Sequence, residues 1–245
     1  MGSILAQTIA DRVSVLLNDE DNDRWSDAEH LTAINDGQKE ICLLKPDAYI
    51  VNVAYPLVAG TKQTIPDGTV SYLDPDSATI DAGIMLLDIV RNMGTDGETV
   101  GNTITLVDME EMDNSLPGWH SVTAAAAVVH YMFRETDPKR FYVYPPQPTS
   151  SFGYIEIVMA AVCSDISAIG SAITLDDIYF TPLIDYVLYK AYMRDADFAA
   201  NYDLAQKYYD NFMRALMGKE AREKADDPNA AIKKTANTQY AQQVV

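Results

Sequence analysis

The sequence predicts an α+β fold, with helices near both ends of the chain and a β-rich segment between them. Apolar residues recur at helical spacing in the first fifty residues and again after residue 180. The segment from Pro46 to Pro148 contains nine of the eleven prolines. In this segment, β-branched and aromatic residues alternate with polar ones. The chain has 245 residues, of which 48% are hydrophobic, so it is long enough to bury a core of its own.

The first helix is expected over residues 4–17, with Ser3 as its cap. Its predicted buried stripe is Leu5, Ile9, Val13 and Leu16. A polar loop follows, and the second helix is expected over 26–45. Ser26 and Glu29 form a capping box there, and Pro46 ends the helix.

Six strands are expected in the middle of the chain: 49–57, 83–90, 103–107, 127–134, 141–145 and 154–161. The strongest hairpin signal joins the fourth and fifth through a turn at 136–139. In that hairpin, Tyr142 and Tyr144 share one face, and Phe141 and Val143 share the other. Residues 69–81 are rich in turn formers and predict a loop.

The last helices are expected over 182–198 and 202–217. Thr181 is the predicted cap of the first, Pro182 stands at its first helical position, and Gly218 is the predicted end of the second. We therefore expect a helical bundle from residues 1–46 and 176–218, a β-rich subdomain over 47–175, and an extended C-terminal tail over 219–245.

Charge is the most informative property of the composition. Asp and Glu number 36 against 18 Lys and Arg, a net charge of -18, and the predicted tail alone is slightly positive. Such a chain should not bind the phosphate backbone of DNA, because its Lys and Arg side chains are too few, beside twice as many carboxylates, to displace the counterions of the phosphates. The charge suits a surface that DNA passes without sticking, and equally a generic acidic soluble protein.

Several classes of protein are not indicated by the sequence. No apolar run approaches the ~20 residues of a membrane helix, and no secretory signal is expected. Cys42 and Cys163 are too few for a disulfide framework or a closed zinc site, and each is interpreted as a small core hydrophobe.

Candidate metal sites are weak. Asp19, Asp21 and Asp23 imitate the start of a calcium loop, but Arg24 and His30 occupy the positions that need Gly and Glu. A solvated loop is the better interpretation. The three histidines, His30, His120 and His130, lie on different elements without metal-ligand spacing.

One acidic cluster remains: Asp108, Glu110, Glu111 and Asp113 in DMEEMD. Paired carboxylates can act as acid and base. Without a partner motif, a solvated acidic face is the better interpretation, and no cofactor or catalytic residue is predicted. These four residues are candidates for an acidic channel surface.

Four blocks of sequence resemble head-to-tail adaptor (connector) proteins of tailed bacteriophages, of the short-tailed type that is similar in role to tail tubular protein A. They are RVSVLLNDEDNDRWSDAEHLTAINDGQKEI, PGWH, DPKRFYVYPP and DDIYFTPLIDYVLYKAYMRDADFAANYDLAQKYYDNF. The blocks keep their order over roughly residues 8–217 of the chain.

The resemblance implies a structural virion protein rather than an enzyme. It implies a twelvefold ring under the portal protein, next to a tail or nozzle protein, with DNA passing through without specific binding and with no membrane contact. Such a protein is assembled in the bacterial host cytoplasm and resides in the neck or tail of the virion, where it serves DNA ejection.

The resemblance also implies that a C-terminal extension docks on the portal. The residues that could anchor it are Ile232, Lys233, Lys234, Tyr240, Val244 and Val245. Two alternatives stay open at this point: an acidic metal-dependent enzyme and a monomeric binding module.

Overall fold

The computed structural model describes residues 2–68, 80–134, 136–195 and 199–226, with the backbone alone described at 199 and 220–226. The chain divides into two compact units. One, the helical unit, combines the chain up to Ile41 with the chain from Ile166 onward, and the other, the β unit, is Cys42–Asp165. The predicted α+β class is confirmed. The loop predicted over 69–81 lies almost wholly outside the described residues.

Five α-helices and seven strands are found in the described part of the chain. The helices are α1 (Ala6–Leu17), α2 (Asp27–Leu44), α3 (Met109–Ser115), α4 (Phe180–Arg194) and α5 (Ala199–Asp226). The strands are β1 (Ile50–Pro56), β2 (Gly60–Thr64), β3 (Gly83–Asn92), β4 (Thr105–Leu106), β5 (His130–Phe133), β6 (Arg140–Gln147) and β7 (Tyr154–Ala161).

The start of α1 differs from the prediction. Ser3 is not its cap: the N-cap is Leu5, which has no capping side chain. Ser3 instead donates from its backbone N–H and its hydroxyl to the carboxylate of Asp177, at 2.6 and 2.5 Å. The first free N–H groups of α1 are satisfied by backbone, with Ala6 donating to the carbonyl of Ser171 at 2.9 Å. Tertiary structure therefore replaces the local cap.

The capping box of α2 is confirmed. The Ser26 N–H donates to Glu29 Oε2 at 3.0 Å, and the Glu29 N–H donates to Ser26 Oγ at 3.4 Å. Arg194 of α4 pairs with Glu29 and places its guanidinium 4.7 Å from the centre of the Trp25 ring. This end of α2 is thereby joined to the end of α4 within the helical unit.

Helices α4 and α5 pack through aromatic pairs. Ring centres lie 5.2 Å apart for Tyr186 and Phe212, 4.9 Å for Tyr189 and Tyr209, and 5.6 Å for Tyr192 and Tyr208. These pairs follow the two helices in antiparallel order. The many tyrosines of the C-terminal helices are therefore largely packing residues.

Both C-terminal helices begin before their predicted first residues, and the second also ends later than predicted. Helix α4 begins at Phe180 rather than Pro182, because the side chain of Asp176 caps a short 3-10 turn that runs directly into it. Helix α5 does not end at Gly218 but continues to Asp226. A glycine costs a helix only about 1 kcal/mol, and the residues that follow, KEAREKAD, are mostly strong helix formers.

The β unit contains two sheets. Strands β1, β7 and β3 form an antiparallel sheet in that order, and β2, β6, β5 and β4 form the second. Strand β4 pairs parallel to β5, and the other pairs are antiparallel. One apolar core draws on both sheets; its larger members include Tyr55, Leu86, Ile89, Tyr131, Phe141, Val143, Ile155, Ile157 and Met159.

The predicted hairpin is confirmed. His130 pairs with Tyr144 and Phe133 with Phe141 across β5 and β6. Phe141 and Val143 are fully buried in the core, as their shared face predicts. The fourth strand is shorter than expected, because residues 124–129 are irregular and regular pairing in β5 starts at His130.

Strand β2 was missed by sequence reasoning. Its sequence, GTKQT, has no apolar alternation, and its inward residues are Thr61 and Gln63. Gln63 satisfies its buried amide by donating to the carbonyls of Val58 and Gly60 and accepting from the Val58 N–H. A polar strand of this kind carries no periodic hydrophobic signal.

Candidate functional site

The acidic cluster lies on and beside helix α3. Asp108 is the N-cap of α3 and accepts hydrogen bonds from the N–H groups of Glu110 and Glu111, at 2.8 and 3.3 Å. Glu110 and Glu111 occupy the first turn, where negative charge is favoured by the helix dipole. Only Met112 of this helix is buried, so the sequence carried little helical periodicity.

Helix α3 covers the outer face of the second sheet through a small satellite core. Met112, Trp119 and Met132 form its centre, and Val107, Met109, Tyr142 and Tyr144 pack around it. Trp119 is 0% exposed and donates its indole N–H to Asp113 Oδ1 at 2.8 Å. The PGWH block is thus a structural clamp that holds α3 on the sheet.

His120 belongs to the same clamp. Its ring stacks on Trp119 with centroids 3.6 Å apart, and its Nδ1 lies 2.8 Å from Thr61 Oγ1 of β2. The histidine therefore ties the block to the edge of the second sheet. Sequence reasoning had assigned it no role.

All four acidic candidates are exposed, and the structure brings them together on one short segment. Two of them, Asp108 and Asp113, have structural bonds, whereas Glu110 and Glu111 extend into solvent. A cleft of about 590 Å³ adjoins them, lined in part by Asp108, Glu110, Phe133 and Arg134. The arrangement presents negative charge to solvent.

Two of the other sequence candidates, Asp19 and His30, have structural partners. Asp19 closes the loop before α2 by accepting from the N–H groups of Arg24 and Trp25. His30 is buried with its Nε2 3.3 Å from Ser14 Oγ, and burial lowers its pKa. Over the described ranges, no group of three or more His, Cys, Asp and Glu is placed to hold a metal ion.

His130 differs from the other histidines. Its ring stacks beside Tyr144, with centroids 6.1 Å apart. Its Nδ1 is buried and has no hydrogen-bond partner among the residues described. One unpaired nitrogen with no neighbouring ligand set does not define a binding site.

A cysteine pair was missed by the sequence analysis. Cys42 and Cys163 were interpreted as separate core residues, and both are indeed buried. The structure places their sulfur atoms 2.6 Å apart. No sequence signal links them, since they stand 121 positions apart.

The predicted portal-docking residues lie outside the described part of the chain. They are Ile232, Lys233, Lys234, Tyr240, Val244 and Val245.

Among the described helices, none is long and apolar enough to cross a membrane.

Comparison with known proteins agrees with the resemblance noted in the sequence. No curated protein shows significant similarity to the chain. The family model described as SU10 adaptor protein matches residues 5–233, nearly the whole chain and both units of the structure. The chain therefore belongs to the SU10 adaptor protein family, a family of phage structural adaptors.

Proposed function

We propose that this protein forms a ring, expected to be twelvefold, that docks under the phage portal and lines part of the DNA channel. The observation that carries the proposal is the family match over residues 5–233. An adaptor of this kind joins the portal to the tail. In this reading the helical unit, the β unit and the tail over 219–245 are parts of one structural subunit.

The charge distribution supports a conduit for DNA rather than a DNA-binding site. The chain carries a net charge of -18, and the exposed segment around α3 adds four carboxylates close together. A wall of like charge repels the phosphate backbone, so DNA slides past without a bound state that would stall it. We assign Asp108, Glu110, Glu111 and Asp113 to such a surface.

The same charge opposes assembly without a partner. Twelve copies would gather roughly 200 net negative charges, whose mutual repulsion is strongest when salt does not screen it. We expect the isolated chain to be monomeric and to close into a ring on a preformed portal. Analytical ultracentrifugation at about 20 mM and about 500 mM salt, with and without portal, tests this. A stable ring at low salt without portal contradicts the electrostatic argument.

The tail is the proposed portal anchor. Residues 219–245 hold five basic and four acidic residues, against 13 basic and 32 acidic in residues 1–218. Lys233 and Lys234 thus suit an acidic partner surface. Removal of residues 227–245 keeps α5 intact to Asp226, so the melting temperature should stay unchanged while co-purification with the portal is lost.

Two charge-reversal variants distinguish a specific contact of the tail with the portal from a general effect of added negative charge. The variant Lys233→Glu with Lys234→Glu should weaken portal binding at least tenfold. Lys139→Glu, on the exposed turn between β5 and β6, should leave binding unchanged. If the truncated chain still occupies the portal fully, the tail is not the anchor.

A further inference from the structure

The sulfur atoms of Cys42 and Cys163 approach more closely than two unbonded sulfurs in ordinary contact. Their separation is 2.6 Å, compared with about 2.0 Å for a disulfide bond. Both side chains are 2% exposed. The backbone therefore already brings the two residues within reach of a covalent bond.

The pair occupies a particular place in the chain. Cys42 is the first residue of the β unit, near the end of α2, and Cys163 lies two residues before that unit ends at Asp165. A bond between them would close a loop from residue 42 to residue 163. That loop contains all seven described strands.

The surroundings make the two thiols unequal. The hydrogen bond between the two sulfur atoms lowers the pKa of Cys42, whereas that bond and burial raise the pKa of Cys163. The carboxylate of Asp81 stands nearby and accepts from the hydroxyls of Tyr49 and Ser164. Cys42 is therefore the more acidic of the two thiols, and the thiolate is the attacking form.

We propose that Cys42 and Cys163 form an intramolecular disulfide by exchange with a small-molecule disulfide such as oxidised glutathione. The Cys42 thiolate attacks one glutathione sulfur and releases the first glutathione thiolate. Cys163 then gives its proton to the released glutathione thiolate and attacks the Cys42 sulfur, which breaks the mixed disulfide and releases the second glutathione thiolate to take up a proton from water. The two protein thiols are oxidised by two electrons, and one oxidised glutathione is reduced to two thiols.

Formation of the disulfide depends on the redox potential of the medium around the protein and not on the proposed portal docking. In a reducing cytoplasm the pair stays as two thiols, and the disulfide forms when the protein reaches an oxidising medium. Closing the 42–163 loop reduces the conformational entropy of the unfolded β unit, and the folded β unit is therefore stabilised.

The test is to equilibrate the full chain in a buffer of oxidised and reduced glutathione, approached both from the native reduced protein and by refolding. We expect free thiols, counted in denaturant, to fall from two to none, and the mass to fall by about 2 Da, as loss of two hydrogens requires. The melting temperature of the oxidised protein should exceed that of the reduced protein by about 10 °C, as a loop of more than 100 residues implies. Dithiothreitol should reverse both changes.

Cys42→Ala and Cys163→Ala are the matched controls. Each should keep one free thiol or take up one glutathione, and neither should gain stability from the oxidising buffer. Two free thiols in the wild-type chain at equilibrium from both directions, two glutathione adducts, or bonds between chains would each overturn the proposal.

Discussion

Asn92 provides a sharp test of how the β unit is held together. It stands at the end of β3, and its side-chain amide donates to the carbonyls of Asn102 and Val128, at 3.0 and 2.8 Å. Its Oδ1 accepts from the N–H of Val128 at 2.7 Å. One buried side chain thus connects the first sheet to the chain that enters β5 in the second.

Replacing Asn92 with alanine removes all three bonds. The N–H and the carbonyl of Val128 lose their partner in a buried place, and each unsatisfied group costs about 1–3 kcal/mol. Asn102 is less affected, because its carbonyl still accepts from the backbone N–H of residue 92 at 2.9 Å. The free energy of unfolding should therefore fall by about 2–6 kcal/mol, a large part of the ~5–15 kcal/mol that a typical protein has.

Urea unfolding followed by tryptophan fluorescence measures this loss. The chain has two tryptophans, Trp25 and Trp119, and the second lies in the β unit. A Trp25→Phe background makes fluorescence report that unit alone. The matched control is Asn52→Ala on β1, where an exposed amide donates only to Glu156 and the loss should stay below about 1 kcal/mol.

Asn92→Asp refines the test. The carboxylate keeps an acceptor for the Val128 N–H but faces two carbonyl oxygens to which it cannot donate. Protonation restores one donor, so this variant should recover stability as the pH falls from 7 to 5, unlike Asn92→Ala. Equal losses for the Asn92 and Asn52 alanine variants, or no pH response in Asn92→Asp, would refute the reasoning.

Three further outcomes are expected. Asp108→Ala should destabilise by about 1 kcal/mol through loss of the α3 cap, whereas the exposed pair Glu110→Gln with Glu111→Gln should change the free energy of unfolding by less than about 0.5 kcal/mol; urea unfolding distinguishes them. Burial lowers the pKa of His30 below its ordinary value of 6.5. His30 therefore binds a proton more readily in the unfolded chain than in the folded one, and the free energy of unfolding should fall as the pH drops below about 6.5. His30→Gln should flatten that part of a pH series, and an unchanged slope would contradict it. Fluorescence anisotropy should detect no binding of duplex DNA at physiological salt, and submicromolar affinity would contradict the proposed acidic conduit.

Local signals in the sequence were enough for much of the secondary structure. The capping box at Ser26 and the turn between β5 and β6 act within a few residues, so their geometry does not depend on the rest of the fold. The alternation of Phe141 and Val143 with two tyrosines likewise follows from the two-residue period of a strand. The acidic cluster of α3 was visible for the same reason, because its members are neighbours in the chain.

Tertiary structure decided the features in which distant residues meet. Ser3 bonds to Asp177 instead of capping α1, because the backbone near Ser171 already satisfies the first turn. Strand β2 is buried through the polar residues Thr61 and Gln63, and Thr61 meets His120, 59 positions away, so no hydrophobic period marks the strand.

The sequence by itself determined the α+β class, the acidic charge and the resemblance to adaptor proteins, because each depends on composition or on residues close together in the chain. The folded structure alone decided that Trp119 clamps α3 through Asp113 and that Cys42 meets Cys163. The two cysteines stand 121 positions apart, the segment between them contains the sheets that bring their sulfur atoms together, and no local rule encodes that closure.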